Sequence, residues 1–83
     1  TMWFVYILRC SDGSLYTGVT TDLRRRLDEH NNSNKGAKYT RTRLPVHLVW
    51  SAECGSRSEA MKKEASIKKL SRPEKLLLVN NNI

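Results

Sequence analysis

The chain has 83 residues, a length typical of a single domain, here residues 1–83. Its 15 lysines and arginines outnumber 8 aspartates and glutamates, and the net charge of +7 predicts a polyanionic partner. The longest apolar run, from Met2 to Leu8, is too short to cross a membrane, and no small-residue cleavage site follows it. The two cysteines lack the spacing of a redox or zinc motif, so we expect reduced thiols in a cytoplasmic protein.

A β-hairpin is predicted first, with strands over 2–10 and 15–20 joined through Asp12-Gly13. A two-residue loop at Asp12-Gly13 would place Tyr6 and Tyr16 on opposite faces of the sheet. A three-residue loop with a left-handed Gly13 would pair Tyr16 with Leu8 and place both tyrosines on one face. Gly18 inside the second strand indicates a bulge or a close backbone approach.

The remaining predicted elements are a helix, a strand and two further helices. Thr21 or Asp22 can cap a helix that runs to about His30, and a polar loop over 31–44 follows it. The next segments are a strand over 46–53, with Val46, Leu48 and Trp50 on one face, and capping-box helices over 56–70 and 71–79. The order β-β-α-β-α-α predicts an α/β (α+β) fold, in which helices flank a three-stranded antiparallel sheet.

Two residues of the first helix are polar although they lie on its apolar side. Leu23 and Leu27 define the apolar stripe, His30 projects between them, and Arg26 lies just beside it. Arg26 can pack its stem on the core with its head in water, and His30 can cap the helix C-terminus. Both can instead line a functional cleft.

Glu64 repeats this pattern with the opposite charge on the helix over 56–70. In projection it lies between Ala60 and Ile67, on the inner face, where an unpaired carboxylate is costly. A salt bridge to one of the many basic residues is one explanation, and a carboxylate available to a metal is the other. Position alone does not decide between them.

Five features together resemble the GIY-YIG nuclease superfamily, also called the URI domain, over nearly the whole chain. Phe4-Val5-Tyr6 stands at the GIY motif and Tyr16-Thr17-Gly18 at the YIG motif, with Arg26, His30 and Glu64 at the spacing of the family's site residues. The resemblance is greatest to the small stand-alone, YhbQ-like branch. Phe4 stands in place of the glycine of the GIY motif, and Thr17 in place of the isoleucine of the YIG motif. Neither change removes a catalytic side chain.

The resemblance implies metal-dependent cleavage of DNA phosphodiesters. Glu64 would hold one Mg²⁺ or Mn²⁺, and Arg26 would bind the scissile phosphate through its planar fork. Tyr6 or Tyr16 would orient or deprotonate the attacking water, which places both tyrosines in one site and therefore favours the three-residue turn. His30 would relay a proton or support the site. An asparagine near the C-terminus often joins it, and Asn80, Asn81 and Asn82 are the candidates.

Four basic residues of the polar loop are expected to follow the DNA backbone, with a tyrosine able to stack on a base. They are Lys35, Lys38, Arg41 and Arg43, and the tyrosine is Tyr39. Two other classes of function stay open. The chain can be a nucleic-acid-binding module without turnover, or a protein-interaction adaptor. Magnesium-dependent nicking would identify the nuclease, and metal-independent binding of intact DNA the binding module. Weak DNA affinity would identify the adaptor.

Overall fold

The computed structural model describes residues 2–32 and 38–80. Its elements are β1 (Trp3–Arg9), β2 (Leu15–Thr20), α1 (Leu23–Asn32), α2 (Lys38–Arg41), β3 (His47–Cys54), α3 (Arg57–Lys68) and α4 (Arg72–Asn80). The strands form one antiparallel sheet in the order β2-β1-β3, so the predicted sheet with flanking helices is confirmed. In this part of the chain no helix is long and apolar enough to cross a membrane.

The hairpin between β1 and β2 has the three-residue turn. Leu8 pairs with Tyr16 across the two strands, and the amide of Cys10 donates to the Ser14 carbonyl at 2.8 Å. Gly13 has a φ of 85°, the left-handed conformation that closes such a turn at little cost only for glycine. Tyr6 and Tyr16 therefore lie on the same face of the sheet, where both can contribute to one site.

The central strand β1 is buried on both faces, and each face has its own hydrophobic cluster. Val5 and Ile7 pack under α3 and α4, together with Ala60 and Ile67 of α3. The opposite face of β1 carries Tyr6, Leu8 and Cys10, which α1 covers. The same cluster contains Val46, Tyr16, Leu23 and Leu27. The continuous apolar run of β1 follows from this double burial.

The predicted alternation of β3 is wrong at Trp50. Ile7 pairs with Trp50 while the adjacent Leu8 pairs with Leu48, so Val49 is an extra residue on β3. Such a bulge reverses the alternation of side chains beyond it. Val46 therefore packs in the cluster under α1, whereas Trp50 packs on the opposite face.

The predicted loop over 31–44 is also partly wrong, because α1 continues to Asn32 and α2 forms within the segment. The Asn31 side chain bonds both backbone groups of Val46, accepting from N–H at 2.8 Å and donating to C=O at 3.0 Å. In α2, the fully buried Thr40 is hydrogen-bonded to His30 of α1. These tertiary hydrogen bonds hold Asn31 and α2 in place, although the sequence around them has no apolar pattern.

The helix starts follow the predicted caps. Asp22, and not Thr21, caps α1, because its carboxylate accepts from the amide of Arg25 at 3.0 Å. Ser56 caps α3 through the amide of Glu59, and Ser71 and Glu74 bond each other's amides at the start of α4. Helix α3 ends at Lys68, slightly before the predicted Leu70.

Candidate active site

The site is built around the hydroxyl of Tyr6. Tyr6 lies on the central strand and is only 3% exposed, and its backbone partner on β2 is Gly18. The absence of a side chain at Gly18 leaves the surface of β2 open, and the outer half of the Tyr6 ring occupies that space. The phenol thereby lies over β2, with its hydroxyl next to the position that a Cβ of residue 18 would take.

A chain of hydrogen bonds leads from this hydroxyl into the protein. Nε2 of His30 lies 3.2 Å from the Tyr6 oxygen, and Nδ1 of the same ring lies 2.8 Å from Oγ1 of Thr40. The His30 ring is 1% exposed and meets both Tyr6 and Tyr16 edge-on. When Nδ1 carries the proton, Nε2 of His30 accepts a hydrogen bond from the Tyr6 hydroxyl. When Nε2 carries it, His30 donates the hydrogen bond to Tyr6.

Arg26 approaches the same tyrosine from α1. Its guanidinium is hydrogen-bonded to the Tyr6 side chain and donates to Oε1 of Glu29 at 3.2 Å. It is half-buried, so the charge sits at the mouth of the site and its fork stays near water. The helical projection of Arg26 toward the body of the protein is thus confirmed, and its head contacts Tyr6 and Glu29 while staying partly exposed to water.

Burial sets the protonation of the two central groups. Burial raises the pKa of Tyr6 above its usual 10, although the Arg26 charge beside it acts in the opposite direction. Burial, together with the charge of Arg26, lowers the pKa of His30 to about 4. Near pH 7 the protein alone therefore holds a neutral phenol against a neutral imidazole.

Glu64 reaches the site from α3, on the other side of the sheet. Its side chain is 16% exposed, and its negative charge acts on the Tyr6 hydroxyl by raising the pKa of that group. Oε2 of Glu64 also lies 3.5 Å from Nζ of Lys68, one turn further along α3. The ion-pair explanation of Glu64 is therefore confirmed, with an exposed lysine of its own helix as the partner, and its availability to a metal stays a prediction.

The remaining aromatic residues extend the site toward α2. Tyr16 stacks on Tyr39 with ring centroids 6.0 Å apart, and the guanidinium carbon of Arg43 lies 4.0 Å from the Tyr39 centroid. Arg43 also bonds the carboxylate of Asp12 at 3.1 Å and the Tyr39 carbonyl at 2.8 Å. Arg43 thus joins α2 to the hairpin turn, a structural role that the sequence did not indicate.

The other expected DNA contacts are only partly within the described residues. Lys38 and Arg41 lie on α2 with exposed side chains, whereas Lys35, Asn81 and Asn82 lie outside the residues that the structure describes. Asn80 lines a separate cavity of about 220 Å³ beside Arg9 and Arg72, at the turn end of the hairpin. Its place there gives no reason to include Asn80 among the groups around Tyr6.

Two residues of the site were missed from the sequence. Thr40 holds the far nitrogen of His30 but stands in a polar segment, and only the folded chain brings it there. Glu29 forms an ion pair with Arg26, three residues earlier on the same helix. Because opposite charges at this spacing lie side by side on a helix, the sequence could have predicted this pair.

The donor set fits a divalent ion that is held mainly by its substrate. Among residues 2–32 and 38–80, no group of three or more His, Cys, Asp or Glu side chains converges as a metal cage. Mg²⁺ keeps several waters and is commonly bound by one or two carboxylates plus substrate phosphates. A single half-buried carboxylate at the cleft, Glu64, suits that mode of binding.

Sequence comparison assigns the chain to a known class of catalytic domains. A profile of the GIY-YIG catalytic domain matches residues 2–77. The chain belongs to the GIY-YIG family, and the domain indicates a nuclease with a nucleic-acid substrate.

The relatives of the chain are small proteins of similar length. The chain is 58% identical to a UPF0213 protein of Desulfotalea psychrophila over 93% of its own length and 70% of that protein. It is 52% identical to a UPF0213 protein of Streptococcus agalactiae, over 95% and 89% of the two chains. The solution structure of the UPF0213 protein BH0048 from Bacillus halodurans shares 51% identity and has a TM-score of 0.62, with 96% and 84% covered.

Proposed function

We propose that the protein is a metal-dependent DNA endonuclease that hydrolyses phosphodiester bonds, with a cytoplasmic role in DNA repair or recombination. The observation that carries the proposal is the convergence of His30 and Arg26 on the Tyr6 hydroxyl over the gap at Gly18, with the charge of Glu64 acting on the same group. Gly18 supports the proposal because a side chain at this position would collide with the Tyr6 hydroxyl.

The residues divide the work of hydrolysis. Arg26 binds a non-bridging oxygen of the phosphate through its fork, in place of one of its present partners. Tyr6 orients the attacking water, and the neutral His30 ring, held at Nδ1 by Thr40, fixes the Tyr6 hydroxyl through a hydrogen bond at Nε2. Tyr16 packs against the same His30 ring and is less buried than Tyr6, so either phenol can be the base.

A divalent ion, when bound, would supply charge neutralisation on the phosphate and its leaving oxygen. Glu64 is the side chain that would hold it. The free protein keeps Tyr6 protonated, because burial outweighs the nearby guanidinium in setting the pKa. Deprotonation of a phenol near pH 7 therefore requires additional positive charge, which is consistent with a requirement for metal.

The test compares Glu64→Gln with Glu53→Gln, which removes an exposed carboxylate from β3. Labelled single-stranded, duplex, flap and branched DNA are incubated with Mg²⁺, Mn²⁺ or chelator. We expect Glu64→Gln to lose metal-dependent cleavage and keep DNA binding, and Glu53→Gln to cleave as the wild type does. Metal-independent binding of intact DNA by the wild type would favour the binding module instead.

A further inference from the structure

A cavity of about 230 Å³ opens at the exposed edge of β2, next to the site around Tyr6. Its lining consists of Leu15, Tyr16, Thr17, Tyr39, Lys68 and Lys75. β2 is an edge strand, and residues from both faces of the sheet meet here, because α3 and α4 approach from one side and α2 from the other. Apart from Tyr16, the lining residues have no part in the proposed reaction.

We propose that this cavity is a subsite for one unpaired nucleotide adjacent to the phosphodiester that is cleaved. The inference rests on the proposed nuclease function and adds the class of substrate: single strands, flaps or bulges rather than continuous duplex. Two tyrosine rings, stacked on each other, give it an aromatic wall for a base, and two ammonium groups offer charge for its phosphate. Among its lining residues within the described part of the chain, none carries a carboxylate.

The size of the cavity supports a single base. It is below the roughly 300–1,000 Å³ of pockets for drug-sized molecules, so it admits one base and not a base pair. A base inside a duplex is stacked and paired, and it can enter such a pocket only by leaving the helix. An already unpaired nucleotide avoids that cost.

The connections of the cavity place the nucleotide next to the reaction. Tyr16 lines it and also contacts the His30 ring, with centroids 5.6 Å apart. Lys68 lines it and lies 3.5 Å from Glu64. One wall is thus shared with the tyrosine pair, and the other with the carboxylate that would hold the metal.

Binding in the presence of chelator tests the subsite without cleavage. The probes are a short fluorescent single strand, the same strand fully paired, and the duplex with one unpaired nucleotide. We expect Tyr39→Leu to weaken single-strand binding by about fivefold or more, because stacking on a base is lost, and Tyr39→Phe to retain it. Binding to the continuous duplex should change less than about twofold, since its bases stay stacked.

Lysine variants give a second readout that does not depend on packing. Lys75→Gln should weaken single-strand binding and flatten the slope of log K against log salt by about 0.7. Lys62→Gln is the matched control, because Lys62 is exposed and points away from the inner face of α3. Wild-type single-strand affinity in both Tyr39→Leu and Lys75→Gln would overturn the subsite, as would equal losses for the continuous duplex.

Failure of the subsite and failure of the nuclease give different results. A protein that shows this binding pattern but never cleaves with Mg²⁺ retains the subsite and loses the proposed reaction. A protein that cleaves with Mg²⁺ while all of these variants bind like the wild type retains the reaction and loses the subsite.

Discussion

Gly18 lies beneath the phenol ring of Tyr6, on the neighbouring strand. A Cβ at this position would come within 2.6 Å of Cζ of Tyr6 and closer still to the hydroxyl. The ring itself is buried and is held by His30 and Arg26, so it has little freedom to move aside. The geometry of the site therefore depends on a residue that contributes no functional group.

Gly18→Ala should displace the Tyr6 hydroxyl and reduce cleavage by at least about tenfold, because the reacting groups lose alignment. The cost in unfolding free energy should be about 1–3 kcal/mol, as for an overpacked core. Gly55→Ala is the matched control, since the nearest atom to its Cβ is 3.6 Å away. Normal cleavage by Gly18→Ala would show that the position of Tyr6 does not limit the reaction.

Acid should destabilise the protein through His30. The His30 imidazole has a pKa of about 4 in the native state, whereas its pKa in the unfolded chain is about 6.5. The unfolded state therefore holds more protons between these values, and stability is present above about pH 6.5 and lost as the pH falls. From pH 7 to 4.5 we expect a loss of about 2–3 kcal/mol, measured by urea unfolding.

Two variants assign this pH dependence. His30→Gln should unfold more easily at pH 7 and show a flatter dependence on pH, because the titrating group is gone. His47→Gln changes a histidine at an exposed position and serves as the comparison. An unchanged pH dependence in His30→Gln would assign it to other groups.

Thr40→Val tests the far end of the hydrogen-bond chain. The substitution keeps the shape of a fully buried side chain but leaves Nδ1 of His30 without the Thr40 oxygen. We expect a loss of about 1–3 kcal/mol in unfolding free energy and slower cleavage, because the ring loses its orientation. Thr40→Ser should cleave faster than Thr40→Val, and Thr42→Val, at an exposed position, should resemble the wild type.

Local chemistry made several parts of the fold predictable. Only glycine readily takes the left-handed conformation at the end of a three-residue turn, so Asp12-Gly13 indicated the hairpin. The length of the turn followed from the family resemblance, which requires both tyrosines on one face. Helical periodicity placed Arg26 and His30 on the inner side of α1, where the structure has them. These features depend on residues close together in sequence.

The parts that could not be predicted depend on contacts between distant segments. The bulge at Val49 reverses the side-chain pattern of β3, yet the alternation of apolar residues continues through it. Helix α2 is only four residues long, and its buried residue is a threonine that bonds a histidine ten residues earlier. No periodic pattern encodes an element that short, so tertiary hydrogen bonds determine it.

The ion pair between Lys68 and Glu64 should compete with metal binding. Nζ of Lys68 lies 3.5 Å from the carboxylate, and the lysine side chain is 53% exposed. Because a metal at Glu64 must displace or outcompete this ammonium group, Lys68→Gln should bind Mn²⁺ more tightly in the absence of DNA. An exposed pair contributes at most about 1 kcal/mol, so we expect an increase of up to about fivefold.

Paramagnetic broadening of the resonances around Glu64 would measure this affinity in the free protein. Lys69→Gln is the control, because it removes the same charge from the end of α3 without removing the observed pair. Glu64→Gln should abolish the broadening in either background. If Lys68→Gln and Lys69→Gln change the affinity equally, the effect is one of overall charge, and if broadening persists in Glu64→Gln, the metal ligand is another residue.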